Sequence, residues 1–319
     1  MIHPMVKLPK LFKSRRPRPR TWRFTQDDLP WFSRGDALGI LERRRRDEKL
    51  ADADFEMLRK WVVDGYFVHP AAVPEAHIDA LACDVDALWT TSEPVHGLLM
   101  VDLRVDPDKD AVTIPHAELI AMPLEQRFAI RDRSYWRIHG FHFHKESAKA
   151  ILNNAELARL ASLIMGRRAD PVFTINFMYG SRQSLHQDSG VFHIAPPHYL
   201  AGAWLACEDI SPDSGPLVYC PGSHREPLFP GFDNYPQTNL RTMPKERMQE
   251  YYDYINKLAE KYEKRLFIAK KGEILFWHGL LIHGGSEVKR PDLTRRSYVC
   301  HYIPPGMDVS ADIVGPFNW

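Results

Sequence analysis

The most restrictive feature of this sequence is a change of pattern at Pro171. Before it, apolar residues recur at helical spacing over residues 52–65, 74–89 and 145–165, and the third segment is interrupted at Asn153–Asn154. After it, short apolar segments bounded by proline or glycine predict strands at Val172–Met178, Leu200–Cys207, Pro216–Tyr219, Glu273–Leu281 and Arg295–Ile303. The chain is therefore expected to form helices first and a strand-rich region second.

The first 50 residues differ in composition from the rest. Residues 7–23 carry eight Lys or Arg, three prolines and no acid, and four arginines follow at 43–46. We predict a basic, Pro-rich extension over residues 1–50 and a single domain over residues 51–319. The extension is either solvated and pinned to the domain by Trp22, Phe24, Trp31 and Phe32, or a contact for anionic lipid or an acidic partner.

Within the domain, an amphipathic helix over residues 244–262 lies among the predicted strands. It marks a helical insertion at about residues 231–267. Such an insertion is either a lid over a site or an ordinary surface helix.

Charge and cysteine content exclude several classes of protein. The net charge of +1 gives no global field that would attract nucleic acid, so no nucleic-acid partner is expected. The four cysteines are far apart in the sequence, which favours free thiols in a reducing compartment over a disulfide scaffold. No apolar segment approaches the roughly 20 residues of a transmembrane helix, and the basic N-terminus lacks the apolar core of a secretory signal. The predicted location is the cytoplasm.

His186 and Asp188 are the first candidate site residues. They are two positions apart, and on an extended strand residues i and i+2 share one face. An imidazole nitrogen and a carboxylate oxygen side by side can bind one metal ion, but a third ligand must come from elsewhere in the chain.

Histidines provide the candidates for the third ligand. His139, His142 and His144 are clustered but have no adjacent carboxylate. His278 and His283 lie in a late strand, five positions apart, so at most one of them can face inward. His283 precedes Gly284–Gly285–Ser286, where missing side chains leave room for a substrate or cofactor, and we therefore favour His283.

Two histidines and one carboxylate form the facial ligand set of iron(II) oxygenases, although a zinc hydrolase could use the same ligand types. An oxygenase that uses 2-oxoglutarate also needs a group that grips the far carboxylate of this cosubstrate. A guanidinium does so with two parallel hydrogen bonds. Arg295 and Arg296 follow His283 at the start of the next predicted strand, and their side chains are expected to face opposite ways.

Residues from about 52 to 303 resemble the phytanoyl-CoA dioxygenase family of iron(II)- and 2-oxoglutarate-dependent oxygenases. The segments that carry the resemblance follow one another in order along the chain. They are Trp61–Val68, Leu185–Asp188, Ala203–Ile210, Gly215–Leu217, Pro221–His224, His283–Ser286 and Arg295–Arg296. The resemblance implies an α+β protein with a mainly β core: a double-stranded β-helix (jelly roll, cupin-like) with flanking N-terminal helices.

The resemblance also implies roles for individual residues. His186, Asp188 and His283 would be the iron ligands, and Arg295 would anchor 2-oxoglutarate, with Arg296 as the alternative because the spacing to His283 is one residue longer than usual. Three further residues correspond to positions near the cosubstrate: Asn176, Ser286 and Trp204. Trp204 would be a wall of the pocket or simply a core residue. An acid at position 188 favours hydroxylation, because halogenating relatives have a small residue there.

The function implied is a dioxygenase that uses iron(II), 2-oxoglutarate and O2, with ascorbate as a stimulant. It would hydroxylate an aliphatic C–H bond of a small organic or lipid-like substrate and release succinate and CO2. The alternatives are a zinc-dependent hydrolase and a non-catalytic binding protein with the same barrel. Aromatic and basic residues near the site suggest an anionic or amphiphilic substrate: Tyr179, Arg182, Phe192, His193 and the insertion.

Overall fold

A computed structural model describes residues 24–192, 194–236, 238–240 and 242–309. Most helices within these residues precede the long strands. They are α1 (Ala37–Asp47), α2 (Asp52–Asp64), α3 (Glu75–Ala87), α4 (His116–Ile120), α5 (Leu124–Arg133), α6 (Glu146–Leu152), α7 (Ala155–Met165) and α8 (Met248–Ala259).

The predicted helices are confirmed, and α2 shows why the pattern was informative. Its apolar residues Phe55, Leu58, Trp61 and Val62 are all buried, so the helical period of the sequence is the face that packs on the core. The predicted interruption at residues 153–154 separates α6 from α7, where the Asn154 side chain caps α7 by accepting a hydrogen bond from the Leu157 N–H at 3.0 Å. Helices α4 and α5 lie in residues 91–144, which the sequence pattern left unassigned.

The strands form a large and a small antiparallel sheet, with a third sheet of two short strands. They are β1 (Tyr66–His69), β2 (Leu99–Leu103), β3 (Val112–Pro115), β4 (Arg137–His139), β5 (Asp170–Phe177), β6 (Ile194–Ala195), β7 (Ala201–Ala206), β8 (Leu217–Tyr219), β9 (Arg265–Phe267), β10 (Ile274–His278), β11 (His283–Gly285), β12 (Ser297–Ile303) and β13 (Asp308–Val309). The large sheet has the order β1-β10-β7-β12-β5-β4-β2-β3, the small sheet has the order β11-β8-β9, and β13 pairs with β6.

Alternation along the central strands separates two cores. On β10, Ile274 and Phe276 pack with the helices, whereas Leu275 and Trp277 belong to a second cluster between the sheets. Strand β12 alternates in the same way, with Val299 in the cluster between the sheets. Helices therefore cover one face of the large sheet and the small sheet covers the other, which places the space for a site between the two sheets.

Residues 24–50 contact the rest of the protein at several points. Phe32 is buried and packs edge-to-face against Trp61, and the Trp31 indole N–H donates a hydrogen bond to the Ile164 carbonyl at 2.7 Å. Three of the four clustered arginines are engaged in ion pairs: Arg43 with Asp36, Arg44 with Glu48 and Arg45 with Asp52. Residues 1–23, including Trp22, lie outside the described residues.

The segment predicted as a helical insertion contains α8, which packs through Tyr251, Ile255 and Leu258 against a cluster that includes Phe229 and Phe232. Its last three residues form β9 of the small sheet and are not helical. Among the described residues, no helix has both the length and the apolar character required to cross a bilayer.

Candidate metal centre and adjoining cavity

His186, Asp188 and His283 come together between the two sheets. One ligand atom from each lies within 4.8 Å of the others, and all three residues are buried. Asp188 Oδ1 is 3.4 Å from His186 Nε2 and 3.7 Å from His283 Nε2. No other set of three His, Cys, Asp or Glu in the described part of the chain has this geometry.

Backbone hydrogen bonds orient the two imidazoles. His186 Nδ1 lies 2.8 Å from the Ser184 carbonyl, and His283 Nδ1 lies 2.9 Å from the Leu281 carbonyl. Because a carbonyl only accepts, each Nδ1 carries a proton, and Nε2 has the lone pair whenever the ring is neutral. The free nitrogens face the same carboxylate oxygen, as a metal site requires.

Burial and charge set the protonation of the cluster. Burial lowers the pKa of His283 to about 4, which keeps this imidazole neutral. Burial opposes ionisation of Asp188, but His283 and its other histidine neighbours lower the pKa of this carboxyl well below its ordinary value. Burial also opposes the charged form of His186, but the hydrogen bond and the charge of Asp188 outweigh it and raise the pKa of this imidazole. A metal ion bound to His186 Nε2 would therefore replace a proton there, and the cluster would then offer two nitrogen lone pairs and one negatively charged oxygen.

The backbone at Asp188 and the strands that carry His278 and His283 differ from what the sequence predicted. Asp188 begins a short 3-10 turn, Asp188–Gly190, and does not continue a regular strand. The backbone of Gln187 is nevertheless extended, which brings the side chains of His186 and Asp188 close together. His278 and His283 do not share a strand, because β10 ends at His278 and β11 belongs to the other sheet.

The glycines after His283 make room for the protein's own backbone, and Gly284 also lines the cavity beside the cluster. An ideal Cβ on Gly284 would lie 2.9 Å from the Gln183 carbonyl oxygen, and one on Gly285 would lie 2.8 Å from the Arg182 nitrogen. These positions are glycine because the chain leading to His186 passes directly over them.

Two residues at this site, Trp277 and His301, were missed in the sequence. Trp277 Nε1 donates a hydrogen bond to Asp188 Oδ2 at 2.8 Å, and His301 Nε2 lies 3.0 Å from the same oxygen. No local motif identifies them, because they approach Asp188 only when their strands lie in one sheet. The only signal was their position on strands that also carry candidate site residues.

The other candidate histidines lie elsewhere. His139 lines the adjoining cavity, and His142 Nδ1 contacts Thr174 Oγ1 at 2.8 Å. His224 and His278 belong to a second group of histidines, with ring centroids 5.3 Å apart. His193 is outside the described residues.

A cavity beside the three buried residues is lined by Arg295 and not by Arg296. The Arg295 side chain is buried, its guanidinium carbon lies 5.4 Å from the Phe177 ring centre and 5.5 Å from that of Trp204, and burial lowers its pKa to about 10. The guanidinium donates a hydrogen bond to the Tyr179 carbonyl at 3.2 Å, and its Nε has no hydrogen-bond partner among the described residues. Arg296 instead pairs with Asp86 at 2.8 Å on the helical side of the sheet.

Of the three remaining residues predicted to lie near the cosubstrate, only one lines the cavity. Trp204 lines the cavity. Asn176 does not: Phe173, Ile175 and Phe177 of β5 line it, so Asn176 lies on the opposite face, near Arg296. Ser286 also lies outside the lining, and its hydroxyl donates to the Pro216 carbonyl at 2.7 Å. The structure thus gives no support to a cosubstrate contact by Asn176 or Ser286.

Apolar and basic residues form the rest of the cavity wall. Phe173, Ile175 and Phe192 supply the apolar part, and Arg137 is a second cation, paired with Asp102 at 2.8 Å. Arg182 is exposed and donates a hydrogen bond to the Tyr135 hydroxyl outside this cavity.

The fold and the residue cluster define a cupin-like jelly roll with a candidate metal centre of two histidines and one carboxylate. A family model described as phytanoyl-CoA dioxygenase (PhyH) matches residues 61–297, and the chain belongs to this family. The resemblance drawn from the motifs is confirmed.

Curated relatives match over shorter regions. The peroxisomal phytanoyl-CoA dioxygenase of Bos taurus is 34% identical over 122 residues, which are 38% of this chain and 34% of that protein. The enzyme of Homo sapiens is 32% identical over 38% of this chain and 33% of its own length. This chain therefore spans about a third of the length of these relatives.

Solved structures extend the likeness to most of the chain. The epimerase SnoN from nogalamycin biosynthesis has a TM-score of 0.56 at 15% identity, covering 80% of this chain and 84% of that one. EctD from S. alaskensis with 2-oxoglutarate and 5-hydroxyectoine has a TM-score of 0.55 at 16% identity, covering 82% of this chain and 78% of that one. At these identities the likeness concerns the fold, and it confirms the predicted jelly roll.

Proposed function

We propose that this protein is an iron(II)- and 2-oxoglutarate-dependent dioxygenase that hydroxylates an aliphatic C–H bond of a small organic or lipid-like substrate and releases succinate and CO2. One observation carries the proposal. A cluster of two histidines and one carboxylate and a buried arginine with an unpartnered nitrogen line the same cavity.

The donor set fits iron(II). His186, Asp188 and His283 present two nitrogen lone pairs and one anionic oxygen toward one point, and they leave the remaining positions of an octahedral ion open. A structural zinc site would have a fourth protein ligand, whereas a catalytic zinc site could use these three, so the choice between iron and zinc rests on Arg295 and on the assay below.

The arginine fits the far carboxylate of 2-oxoglutarate. Arg295 is buried between Phe177 and Trp204, and the structure gives it no acidic partner within ion-pair distance. A buried cation without an ion-pair partner is costly, and the charge of Glu208 offsets only part of the burial of Arg295, so an anion that enters the cavity would gain a charge-assisted, bidentate contact.

When bound, iron and 2-oxoglutarate supply the oxidising chemistry with O2. The chain would hold and shield the reactants: His186, Asp188 and His283 would hold the metal, Arg295 would hold the cosubstrate, and Phe173 and Phe192, which line the cavity, would limit access of water.

Succinate release tests the proposal. Purified protein with iron(II), ascorbate and O2 is expected to convert 2-oxoglutarate to succinate slowly, and faster with the correct substrate. Zinc in place of iron should give none. Protein that neither binds nor turns over 2-oxoglutarate with iron present would refute the proposal.

Two alternatives have distinct outcomes in the same assay. A zinc-dependent hydrolase would be active with zinc and indifferent to O2. A non-catalytic binding protein would bind a ligand and release no succinate with any metal.

The substrate is proposed to be anionic or amphiphilic. The cavity combines an apolar wall with Arg137, a half-buried cation in addition to Arg295. We expect aliphatic carboxylates to stimulate succinate release more than matched alcohols, and Arg137→Gln to raise KM for the carboxylate about tenfold without changing 2-oxoglutarate binding. Stimulation by the neutral alcohols alone would refute an anionic substrate.

A cytoplasmic location is part of the proposal, supported by four free cysteines, three of them buried. The basic segment at residues 7–23 would contact anionic lipid from there. Fractionation at low and high salt should move a membrane-associated portion into the cytosolic fraction. Recovery of the protein in a sealed organelle at both salt concentrations would contradict this location.

A further inference from the structure

We infer that Trp277, Gly202 and His301 form a row across the large sheet that holds Asp188 as a ligand with a single metal-facing oxygen. Trp277 and His301 would be positioning residues that act through Asp188. The inference deepens the proposed function and rests on it, because it concerns how this chain orients a ligand for the metal.

The two carboxylate oxygens of Asp188 have different neighbours. Oδ2 accepts from Trp277 Nε1 at 2.8 Å and lies 3.0 Å from His301 Nε2. Oδ1 faces the two metal-binding imidazoles. A carboxylate held by two donors on one oxygen cannot rotate to chelate a metal with both oxygens without losing these bonds.

The register of the sheet puts both donors in one line. Trp277 of β10 and His301 of β12 are each paired with the same residue of the strand between them, Gly202 of β7. Side chains of directly paired residues project from the same face of a sheet. Both side chains accordingly line the cavity that contains Asp188.

Gly202 provides the space for the indole. An ideal Cβ at this position would overlap carbon atoms of the Trp277 ring, which lies across the strand at the place where a side chain would stand. The absence of a side chain at the middle of the row lets the indole N–H reach Asp188, and an alanine there would displace the indole.

A purely structural explanation is that the two bonds only offset the cost of burying a carboxylate. That explanation predicts a loss of stability and no change in the metal site. Positioning predicts a change at the metal itself, in affinity and in coordination, with the fold intact. Cobalt(II) distinguishes the two, because its visible absorption reports the coordination geometry without turnover.

The experiment compares cobalt(II) affinity and visible spectra of the parent and of Trp277→Phe, His301→Leu and Gly202→Ala. Each variant is expected to bind cobalt(II) between about 10- and 100-fold more weakly and to show an altered spectrum. His301→Gln should restore part of both, because its amide nitrogen can donate from nearly the same place. Thermal unfolding of the metal-free variants verifies that each is folded.

Matched controls remove similar atoms elsewhere. Trp136 is as buried as Trp277, and its indole nitrogen has no hydrogen-bond partner, so Trp136→Phe should leave cobalt binding unchanged. Gly39 lies in α1 with only an ordinary contact for an added Cβ, so Gly39→Ala should do the same.

The outcomes separate this inference from the proposed function. If the parent binds cobalt(II) and Trp277→Phe and His301→Leu bind within twofold of it with unchanged spectra, the row is only structural and the inference is overturned. If the parent itself binds no divalent metal, the proposed function fails and the inference fails with it.

Discussion

Two groups of neighbouring histidines can be compared among the described residues, and of these two only one contains a carboxylate within reach of a shared metal ion. At the candidate centre the rings of His186 and His283 are 4.5 Å apart. In the second group the ring of His278 lies 5.3 Å from that of His224 and 5.8 Å from that of His198. The two groups are similar in spacing, so the number and proximity of imidazoles do not explain the difference.

The difference lies in the carboxylate, because free nitrogens occur in both groups: His224 Nδ1 also has no hydrogen-bond partner among the described residues. His278 Nδ1 accepts from the Leu280 N–H at 2.9 Å and its Nε2 contacts Ser33 Oγ at 3.2 Å, while His224 Nε2 contacts the Val62 carbonyl at 3.2 Å. These nitrogens already have protein partners, and no carboxylate in the described part of the chain forms an ion pair with either ring. A metal centre requires nitrogens left free by backbone carbonyls and an acid between them.

The largest effect should come from removing one imidazole of each group. His186→Ala is expected to abolish stoichiometric iron(II) binding and succinate release. The loss of iron affinity should be well above the roughly 100-fold typical of residues that only orient a ligand. His278→Ala should keep iron binding and lose about 2 kcal/mol of unfolding free energy, because it empties a buried position. Iron titration and urea unfolding of both variants provide the measurements. Equal loss of iron binding in the two variants would erase the distinction between the groups.

The next largest effect should come from removing one of two adjacent arginines, Arg295 and Arg296. Arg295→Ala should raise the 2-oxoglutarate concentration for half-maximal rate roughly 100-fold, because it removes a buried bidentate donor. Arg296→Ala should change it less than about threefold, because this side chain pairs with Asp86 near the surface. Steady-state kinetics with varied 2-oxoglutarate decides the matter. A large effect of Arg296→Ala alone would exchange the two assignments.

The second histidine group should set the acid limit of the fold. Burial lowers the pKa of His224 to about 4, and Arg225 adds to the shift while Asp64 opposes it. In the unfolded chain this histidine titrates near 6.5, so below that pH the unfolded state binds more protons and the free energy of unfolding falls. Between pH 7 and pH 5, the titration of His224 alone should lower the free energy of unfolding by about 2 kcal/mol.

Urea unfolding of the metal-free protein at pH 7 and pH 5 measures that loss. His224→Gln should shrink the difference between the two pH values by about the same 2 kcal/mol, since glutamine does not titrate. An unchanged pH dependence in this variant would show that other groups set the acid limit.

Local patterns accounted for the helices and for the candidate ligands. The apolar period of α2 and the Asn154 cap of α7 are written in consecutive residues, as is the pair His186 and Asp188. Such features depend on interactions within a few positions, which a single sequence contains.

Features that depend on sheet pairing could not be predicted in this way. Asn176 was expected near the cosubstrate from the family resemblance alone. In the fold the cavity is lined by Phe173, Ile175 and Phe177, so Asn176 lies on the other face of β5. Trp277 and His301 meet at Asp188 only because β10 and β12 both pair with β7. The sequence also did not show that Gly284 makes room for the backbone near Gln183.

The reciprocal pairing of His186 and His283 has a consequence for how metal enters. The backbone N–H of His186 donates to the backbone carbonyl of His283 at 2.9 Å, and the backbone N–H of His283 donates to the backbone carbonyl of His186 at 3.1 Å. This closed pair ties the segment before Asp188 to the small sheet through protein atoms alone. Little chain entropy then remains to be lost on chelation, so the two amides should exchange slowly with solvent deuterium whether or not metal is bound. Removing the ion should leave a site that is already organised to take it up again.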